Sequence, residues 1–247
     1  MEKWTMPADH PRHTATDRAA KDALNDQFAR IGKAFASGRR VEILDVLAQG
    51  ERSVEALADE LEMGIGSASA HLQALRAAGL VTTRRAGTRI FYRLSGDDVY
   101  RLLASVRELA SGRIAEAERA ARAYLGVPDS LEPLGREELL RRVQAGDVVV
   151  VDVRPAVEYA AGHIAGAISL PLEELESRLA ELPPGQEVVA YCRGPFCALG
   201  GRGIEILRRH GRPARRLVDG FPEWRLGGLP VSSGAHDRGS PGPDRPS

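Results

Sequence analysis

The sequence predicts two domains: a mainly helical one, followed by an α/β domain built on a parallel sheet. The region from Asp17 to about Leu125 has helical patterning, interrupted by one short stretch rich in strand formers. The segment "GVPDSLEP", residues 126–133, supplies two prolines and a glycine, which end a helix and suit a linker. Beyond it, "DVVVVDV" is typical of a strand buried on both faces of a parallel sheet, and "EVVAY" repeats this pattern. Helical patterns alternate with these strands, so we expect the α/β domain over residues 134–231.

Composition sets broad limits on the class of protein. A chain of 247 residues with 43% hydrophobic residues is long enough to bury two cores. The formal net charge is zero, so the chain as a whole has no field that would attract nucleic acid. Its apolar runs are far shorter than the ~20 residues of a membrane span, and its start lacks the apolar core of a signal peptide. We therefore expect a cytoplasmic protein with no membrane partner and with disordered tails over residues 1–16 and 234–247.

The segment "SVEALADELEMGIGSASAHLQALRAAGLV" predicts a helix-turn-helix. A first helix is expected from about Ser53 to Glu62, a turn at Gly64 and Gly66, and a second helix from about Ser67 to Ala78. Two short helices joined by a tight turn pack at a steep angle, and the second can enter a major groove. Its exposed N-terminal turns would carry polar side chains that suit base edges and phosphates. These candidate DNA-binding residues are Ser67, Ser69, His71 and Gln73.

The next segment, "LVTTRRAGTRIFYRL", predicts a β-hairpin with Ala86 and Gly87 at its turn. From Met63 to Leu94 the chain has five arginines and no acidic residue, although its total charge is neutral. Such segregation is typical of a surface that binds phosphates. A helical domain with a solvated arginine face would show the same charge pattern without touching DNA. The arginines that we expect to contact phosphates from this wing are Arg84, Arg85 and Arg89.

Over about Gln27 to Leu125 these stretches resemble the ArsR-type family of winged-helix repressors. The resemblance rests on "FARIGKAFASGRRVEILDVL", "SVEALADELEM", "SASAHLQALRAAGLV" and "RRAGTRIFYRL". It implies a homodimer built on the first and last helices, and release of double-stranded operator DNA when an inducer binds. Here those helices are expected over Thr16–Ala36 and, as one long helix, over residues 96–125. The positions of the family's usual metal sites lack cysteine and histidine in this chain, so we expect no metal ligands.

Both cysteines of the chain lie in one glycine-rich segment, "YCRGPFCALGGRG", residues 191–203. Four interpretations are open: a sulfur-handling site, a metal site, a disulfide staple, or two buried thiols. The segment follows a predicted strand and precedes a helix starting near Ala198, so loop amides and the helix N-terminus should converge on Cys192. Such a placement lowers the thiol pKa and favours a nucleophilic thiolate. The predicted anion-binding residues of the loop are Arg193, Gly194, Phe196 and Ala198; zinc would need two further ligands, and no cofactor is expected.

Three separated stretches resemble the rhodanese sulfurtransferase family over about Leu134 to Val231. They are "VVVVDVRPAVEYAAGHIAGAISLP", "VVAYCRGPFCALGGRGIEILRRHG" and "VDGFPEWRLGGLPV". The resemblance implies that Cys192 is the sulfur carrier. Family members commonly close this loop with an arginine where this chain has Cys197, which puts efficient thiosulfate turnover in doubt; we expect Cys197 to act as a resolving thiol instead. Four residues match the first motif and are expected mainly to hold turns and surface packing: Asp152, Arg154, Glu158 and His163.

Three hypotheses for function follow from the sequence. The first is a DNA-binding regulator, acting as a repressor, whose rhodanese-like domain senses or processes reactive sulfur through a persulfide on Cys192 and a bridge to Cys197. The second is a sulfurtransferase enzyme with an accessory DNA-binding domain. The third is a repressor that responds to arsenite or another thiol-reactive ligand. The sequence leaves enzymatic turnover open.

Overall fold

The computed structural model describes residues 15–126 and 133–234. The predicted tails lie outside the described residues except for 15–16 and 234, and so do residues 127–132 of the predicted linker. Within the described ranges, no helix is both long enough and apolar enough to cross a membrane.

Over residues 15–126 the structure has six helices and a small antiparallel sheet, in which the third strand lies between the first two. Two of the helices form the helix-turn-helix, and strands β2 and β3 form the hairpin behind it, so this part of the predicted fold class is confirmed. The elements are α1 Ala15–Phe35, α2 Gly38–Gln49, β1 Arg52–Ser53, α3 Val54–Glu60, α4 Ile65–Ala77, β2 Val81–Ala86, β3 Arg89–Leu94, α5 Asp97–Arg113 and α6 Ala115–Leu125.

Capping residues determine where the two helices of the helix-turn-helix begin. The Ser53 hydroxyl accepts a hydrogen bond from the Ala56 amide at 3.2 Å, which satisfies one of the free N–H groups that begin α3. Gly64 caps α4 in an extended conformation. The prediction that Gly66 belongs to the turn was wrong, because α4 already begins at Ile65. A glycine in the first turn of a helix is read from sequence as a turn signal, although one cap residue is enough to start the helix.

The prediction of one long last helix was also wrong. Helix α5 ends at Arg113 and α6 begins at Ala115, because Ile114 between them has an extended backbone, with φ −116° and ψ 102°. Residue types of lower helix propensity, Ser111 and Gly112, come just before this break. Apolar periodicity continues across a single extended residue, so the sequence pattern does not reveal the break.

The C-terminal half is an α/β unit whose parallel four-stranded sheet has the order β6-β4-β7-β8. A short antiparallel pair, β5 with β9, lies beside it. The predicted parallel sheet is thereby confirmed. The elements are α7 Arg136–Ala145, β4 Val148–Asp152, α8 Ala156–Ala161, β5 His163–Ile164, β6 Ile168–Ser169, α9 Leu172–Leu175, a 3₁₀ turn Leu179–Glu181, β7 Glu187–Tyr191, α10 Ala198–Arg209, β8 Ala214–Arg216, α11 Phe221–Leu226 and β9 Val231–Ser232.

Strand β4 shows how the two apolar layers are made. All five of its residues are buried, and alternate valines belong to opposite layers: Val150 packs with Trp224, whereas Val151 packs with Ile204 of α10. This alternation follows from the period of two along a strand. Cys192 comes directly after β7 and belongs to the layer that contains α10. The loop that follows β7 therefore lies where the carboxyl edge of the sheet meets the N-terminus of α10.

Candidate functional site

The structure brings the two cysteines together at the N-terminus of α10. The Cys192 and Cys197 sulfurs are bonded, with their Cα atoms 6.3 Å apart. Cys192 is only 4% exposed. Cys197 is partly exposed and occupies the N-cap position of α10. Among the described residues, no group of three or more histidine, cysteine or acidic side chains is arranged to hold a metal ion. The roles of Cys192 as sulfur acceptor and Cys197 as resolving thiol stay predictions.

The segment from Cys192 to Cys197, the cysteine loop, is tightly packed. The Cys197 amide donates to the Gly194 carbonyl at 3.1 Å, which closes the turn, and the Phe221 amide donates to the Cys192 carbonyl at 3.1 Å. Gly194 and Ala198 are buried, and Phe196 is partly buried. A side chain at Gly220 would overlap the Arg193 backbone, so the glycine there permits the close approach of α11 to the loop. Because the loop is packed in this way, a change in its shape would require the neighbouring residues to move as well.

Arg193 of the cysteine loop binds carboxylates from two parts of the chain. Its guanidinium pairs with Glu158, which is fully buried, and with Glu60 of α3. Burial lowers the pKa of Arg193, but the Glu158 and Glu60 carboxylates outweigh it and leave the pKa raised. The sequence predicts that Arg193 supplies a positive charge for an anion on the loop. In this structure its charge is already compensated by two carboxylates in a low-dielectric site. The anion-binding roles of Arg193, Gly194, Phe196 and Ala198 stay predictions.

The charged residues of the first rhodanese-type motif are buried. Arg154 pairs with Asp152, with an Nη2–Oδ2 distance of 2.6 Å, and donates to the Gly162 carbonyl at 2.7 Å. Both side chains of the pair are 0% exposed. The ring of His163 stacks on Tyr159 with centroids 3.6 Å apart. Asp152 accepts a hydrogen bond from the Arg154 amide at 3.0 Å, as expected of a residue that holds a turn. Surface packing was the wrong prediction, because all four residues are buried and the arginine and carboxylate charges are satisfied internally.

Gln49, the last residue of α2, joins the two halves of the chain at the cysteine loop. Its Oε1 accepts a hydrogen bond from Arg154 Nη1 at 3.0 Å, and its Nε2 lies 3.3 Å from the Arg193 carbonyl oxygen. The Gln49 side chain is 2% exposed. Gln49 could not be identified from the sequence, since a polar residue at the end of an amphipathic helix usually faces water and carries no signal of an interface.

Arg52 of β1 extends the same contact. Its Nη2 lies 3.3 Å from Glu158 Oε1 and its Nε lies 3.5 Å from Glu60 Oε2. Burial raises the pKa of Glu158, and the neighbouring arginines, led by Arg193, oppose that rise. Each carboxylate is therefore shared by two arginines, one from each half of the chain. The interface cluster, as we name it, consists of Gln49, Arg52, Glu60, Arg154, Glu158 and Arg193.

A second contact joins α5 to the C-terminal half. The Tyr100 hydroxyl donates to Glu223 Oε1 at 2.5 Å, and Glu223 Oε2 accepts from the Gly220 amide at 3.0 Å. A Cβ at Gly194 would lie 3.6 Å from the Tyr100 hydroxyl, so this pair also touches the cysteine loop. Burial raises the pKa of Glu223, while the hydrogen bond from Tyr100 opposes the rise. The loop is thus in contact with α2, α3 and α5 of the N-terminal half.

The predicted DNA-binding side chains are exposed or partly buried. On α4, Ser67 and Gln73 are exposed, whereas Ser69 and His71 are partly buried. In the hairpin the three predicted arginines are exposed: Arg84, Arg85 and Arg89.

The arginines of the wing differ in whether a carboxylate pairs with them. Arg84 pairs with Glu51 and lies over the Phe91 ring, 5.0 Å from its centroid. Arg85 donates to the Gly87 carbonyl at 3.1 Å, an interaction that leaves its charge uncompensated. Arg84 would have to exchange a carboxylate for a phosphate, which makes Arg85 and Arg89 the stronger candidates for phosphate contacts.

Comparison with known proteins agrees with both halves of the structure. Residues 37–83 match the family described as bacterial regulatory protein, arsR family, and residues 135–226 match the rhodanese-like domain. The chain is 54% identical over 215 residues to the HTH-type transcriptional regulator Rv0324 of Mycobacterium tuberculosis, covering 87% of this chain and 94% of the relative. It is 32% identical over 91 residues to a sulfurtransferase of Allochromatium vinosum, covering 37% of this chain and 84% of the relative.

Among solved structures, it matches the homodimeric winged helix-turn-helix DNA-binding domain of Mb0332 from Mycobacterium bovis, a possible ArsR-family transcriptional regulator. The identity is 50%, the match covers 45% of this chain and 95% of that chain, and the TM-score is 0.37. The extent of the match to Rv0324, together with the two matched families, identifies the chain as an ArsR-family transcriptional regulator that carries a C-terminal rhodanese-like domain.

Proposed function

We propose that this regulator is a sulfur-responsive repressor, in which reaction of Cys192 with reactive sulfur changes the affinity of the N-terminal half for operator DNA. Residues 17–125 serve as the DNA-binding and dimerisation domain in this proposal, and residues 134–231 serve as the sulfur-reactive domain. One observation carries it: the cysteine loop is in direct contact with the DNA-binding half through Gln49 and Glu60. A change in the loop therefore reaches the helix-turn-helix without a long relay.

The proposed chemistry begins at Cys192 in the reduced protein. Its thiolate attacks the sulfur of hydrodisulfide, HSS⁻; a Cys192–sulfur bond forms, the sulfur–sulfur bond of the donor breaks, and HS⁻ leaves. The product is a persulfide anion on Cys192. The Cys197 thiol then attacks Cys192 Sγ and a second HS⁻ leaves with the thiol proton, which yields the bond present in the structure. A longer donor leaves a longer sulfur chain on Cys192. Attack of the Cys197 thiol on an outer sulfur of that chain, with the terminal sulfur leaving as HS⁻ with the thiol proton, then closes a bridge with one or more extra sulfurs.

Dimerisation through α1 and α5 is supported by apolar side chains that this chain leaves uncovered. Leu24 and Phe28 of α1 are 53% and 64% exposed, and Leu109 of α5 is 62% exposed. Exposed apolar surface of this kind is typical of a protein interface. The matching domain of Mb0332 is itself described as homodimeric. We propose the same arrangement here, with two α4 helices placed for the two half-sites of an operator.

The test is DNA affinity in the reduced and polysulfide-treated states. An operator is selected from a random double-stranded library with the reduced full-length protein, and affinity is measured by fluorescence anisotropy at fixed salt. We expect treatment to change the affinity by roughly 5- to 150-fold, the usual range of allosteric coupling. The response should be absent in Cys192→Ser. An unchanged affinity of the wild-type protein, with mass spectrometry showing that both cysteines have reacted, would refute the proposal.

A sulfurtransferase with an accessory DNA-binding domain is the second candidate, and the similarity to the Allochromatium vinosum sulfurtransferase favours it. The same samples separate the two functions. Catalytic transfer of sulfur to a thiol acceptor over many turnovers, with no change in DNA affinity, would assign the protein to the enzyme class. A change in DNA affinity with arsenite and none with polysulfide would instead indicate a repressor that responds to arsenite or another thiol-reactive ligand.

A further inference from the structure

Arg216 is a cationic side chain near the cysteine loop, and it has no role in the sulfur chemistry proposed above. It is the last residue of β8 and is partly buried. Its Nη1 donates to the Pro195 carbonyl, in the middle of the cysteine loop, at 3.3 Å. A Cβ placed on Gly200 would lie 3.2 Å from Arg216 Cδ and 3.5 Å from Cys192 Cβ. The side chains of Arg216 and Cys192 therefore both lie close to Gly200, in the first turn of α10.

The charge of Arg216 is uncompensated. Among the described residues, no carboxylate oxygen lies within 4 Å of its guanidinium. Burial lowers the pKa of Arg216, and no neighbouring carboxylate opposes that effect. Arg193, in contrast, forms ion pairs with Glu60 and Glu158. A partly buried cation without a counter-charge is costly, and an anion arriving beside it would be stabilised.

In the proposed chemistry, the anions formed at Cys192 are sulfur anions. In the bridged state both sulfurs are neutral, whereas opening of the bridge places a thiolate or persulfide at Cys192, next to Arg216. We infer that Arg216 is the anion-binding side chain of the sulfur site, which stabilises anionic sulfur on Cys192 and draws anionic rather than neutral sulfur donors to it. This inference rests on the proposed function in its choice of ligand, and it names the substrate class as anionic sulfur donors, such as polysulfide.

The first arm of the test measures the Cys192 thiolate. In full-length Cys197→Ser protein, which has a single thiol, the rate of alkylation by neutral iodoacetamide is followed against pH. Changing Arg216 to Gln in this background should raise the apparent pKa of Cys192 by about one pH unit, a roughly tenfold loss of thiolate at lower pH. Arg202→Gln is the matched control, because Arg202 lies on α10 but is exposed. Arg216→Lys, which keeps the charge, should restore most of the effect.

The second arm measures attraction of a free anion. At a pH where Cys192 is fully ionised, the rate with anionic iodoacetate is divided by the rate with iodoacetamide. We expect Arg216→Gln to lower this ratio about 5- to 10-fold and to slow reaction with polysulfide in parallel. A change in the pKa alone would limit Arg216 to stabilising the thiolate, and a change in the ratio alone would limit it to recruiting the donor. Unchanged values in both arms would overturn the inference.

Thermal unfolding shows whether Arg216→Gln folds, and Gly200→Ala is the second variant if it does not. Gly200→Ala keeps the cation but places a methyl group 3.2 Å from Arg216 Cδ, so that Arg216 must shift. It should move both readouts in the same direction as Arg216→Gln, by a smaller amount. Neither arm contains DNA, so failure of the DNA response in the wild-type protein and failure of the Arg216 inference are separate results.

Discussion

Changing Glu60 to Gln should uncouple the sulfur response from DNA affinity. Glu60 lies on α3, the first helix of the helix-turn-helix, and pairs with Arg193 of the cysteine loop. Arg193 directly follows Cys192, so we expect opening or closing of the bridge to Cys197 to change the geometry from which Arg193 reaches Glu60. The substitution keeps the shape of the side chain and removes its charge.

The magnitude follows from the exposure of the pair. Two unit charges about 4 Å apart attract by about 4 kcal/mol at an effective dielectric constant near 20. The Arg193 and Glu60 side chains are 18% and 25% exposed, so desolvation and ordering cancel part of this attraction. A net value of about 1–2 kcal/mol corresponds to a roughly 5- to 30-fold change in an equilibrium constant. This is an upper bound on what the pair contributes to coupling, reached only if it is fully made in one state and fully broken in the other.

The assay is the ratio of DNA affinities in the polysulfide-treated and reduced states, measured by anisotropy for the wild type and for Glu60→Gln. We expect the variant's ratio to move toward one by up to this factor. Asp59→Asn is the matched control, because Asp59 is the adjacent acidic residue of α3 and is exposed. It should keep the wild-type ratio. If Glu60→Gln changes affinity equally in both states, the pair is static and the reasoning is refuted.

Three further predictions concern the wing, the α5 contact and the order of sulfur chemistry. Replacing Arg85 or Arg89 by alanine should weaken DNA binding for every operator and reduce the slope of log affinity against log salt by about one; an unaltered slope would exclude phosphate contacts. Burial raises the pKa of Glu223, so the free energy of unfolding should decrease as pH rises from about 4.5, the unfolded pKa, to the raised folded value. In denaturant titrations Glu223→Gln should show a smaller decrease, with the remainder due to Glu158, whose pKa is also raised; a decrease as large as that of the wild type would count against the prediction. After brief polysulfide exposure, intact mass should show an open persulfide in Cys197→Ser and much slower reaction in Cys192→Ser; equal rates would indicate two ordinary thiols.

The elements that carry local patterns could be predicted from the sequence. The β-branched runs of β4 and β7 fit few structures other than buried strands, and the glycines beside α4 mark a turn to within one or two residues. The position of Cys192 also follows from local order, because it stands between a buried strand and a helix. The break at Ile114 was missed because apolar periodicity continues through it. These successes and this failure all concern residues close together in the chain.

The contacts between the two halves could not be predicted in this way. Gln49 and Arg154 are 105 residues apart, and each has an ordinary solvent-exposed alternative that fits its local sequence equally well. Arg193 likewise fits a solvent-facing loop until Glu60, 133 residues earlier, is brought beside it. Burial of such residues depends on which charges meet across the interface. A single sequence shows the charges but not their pairing.

The composition of the interface cluster has a consequence for how the two halves separate. Its arginines and carboxylates pair across the interface, Arg52 with Glu158 and Arg193 with Glu60, and also within each half, Arg52 with Glu60 and Arg193 with Glu158. Each half therefore keeps one of these pairs when the halves separate. Removing one partner leaves a buried charge, whereas moving the halves apart lets all of them meet water together. The interface should therefore have two favourable arrangements, fully docked or fully hydrated, with few stable ones between. A small change in the cysteine loop, which supplies Arg193, can then select between them, and this is the two-state element that coupling to DNA requires.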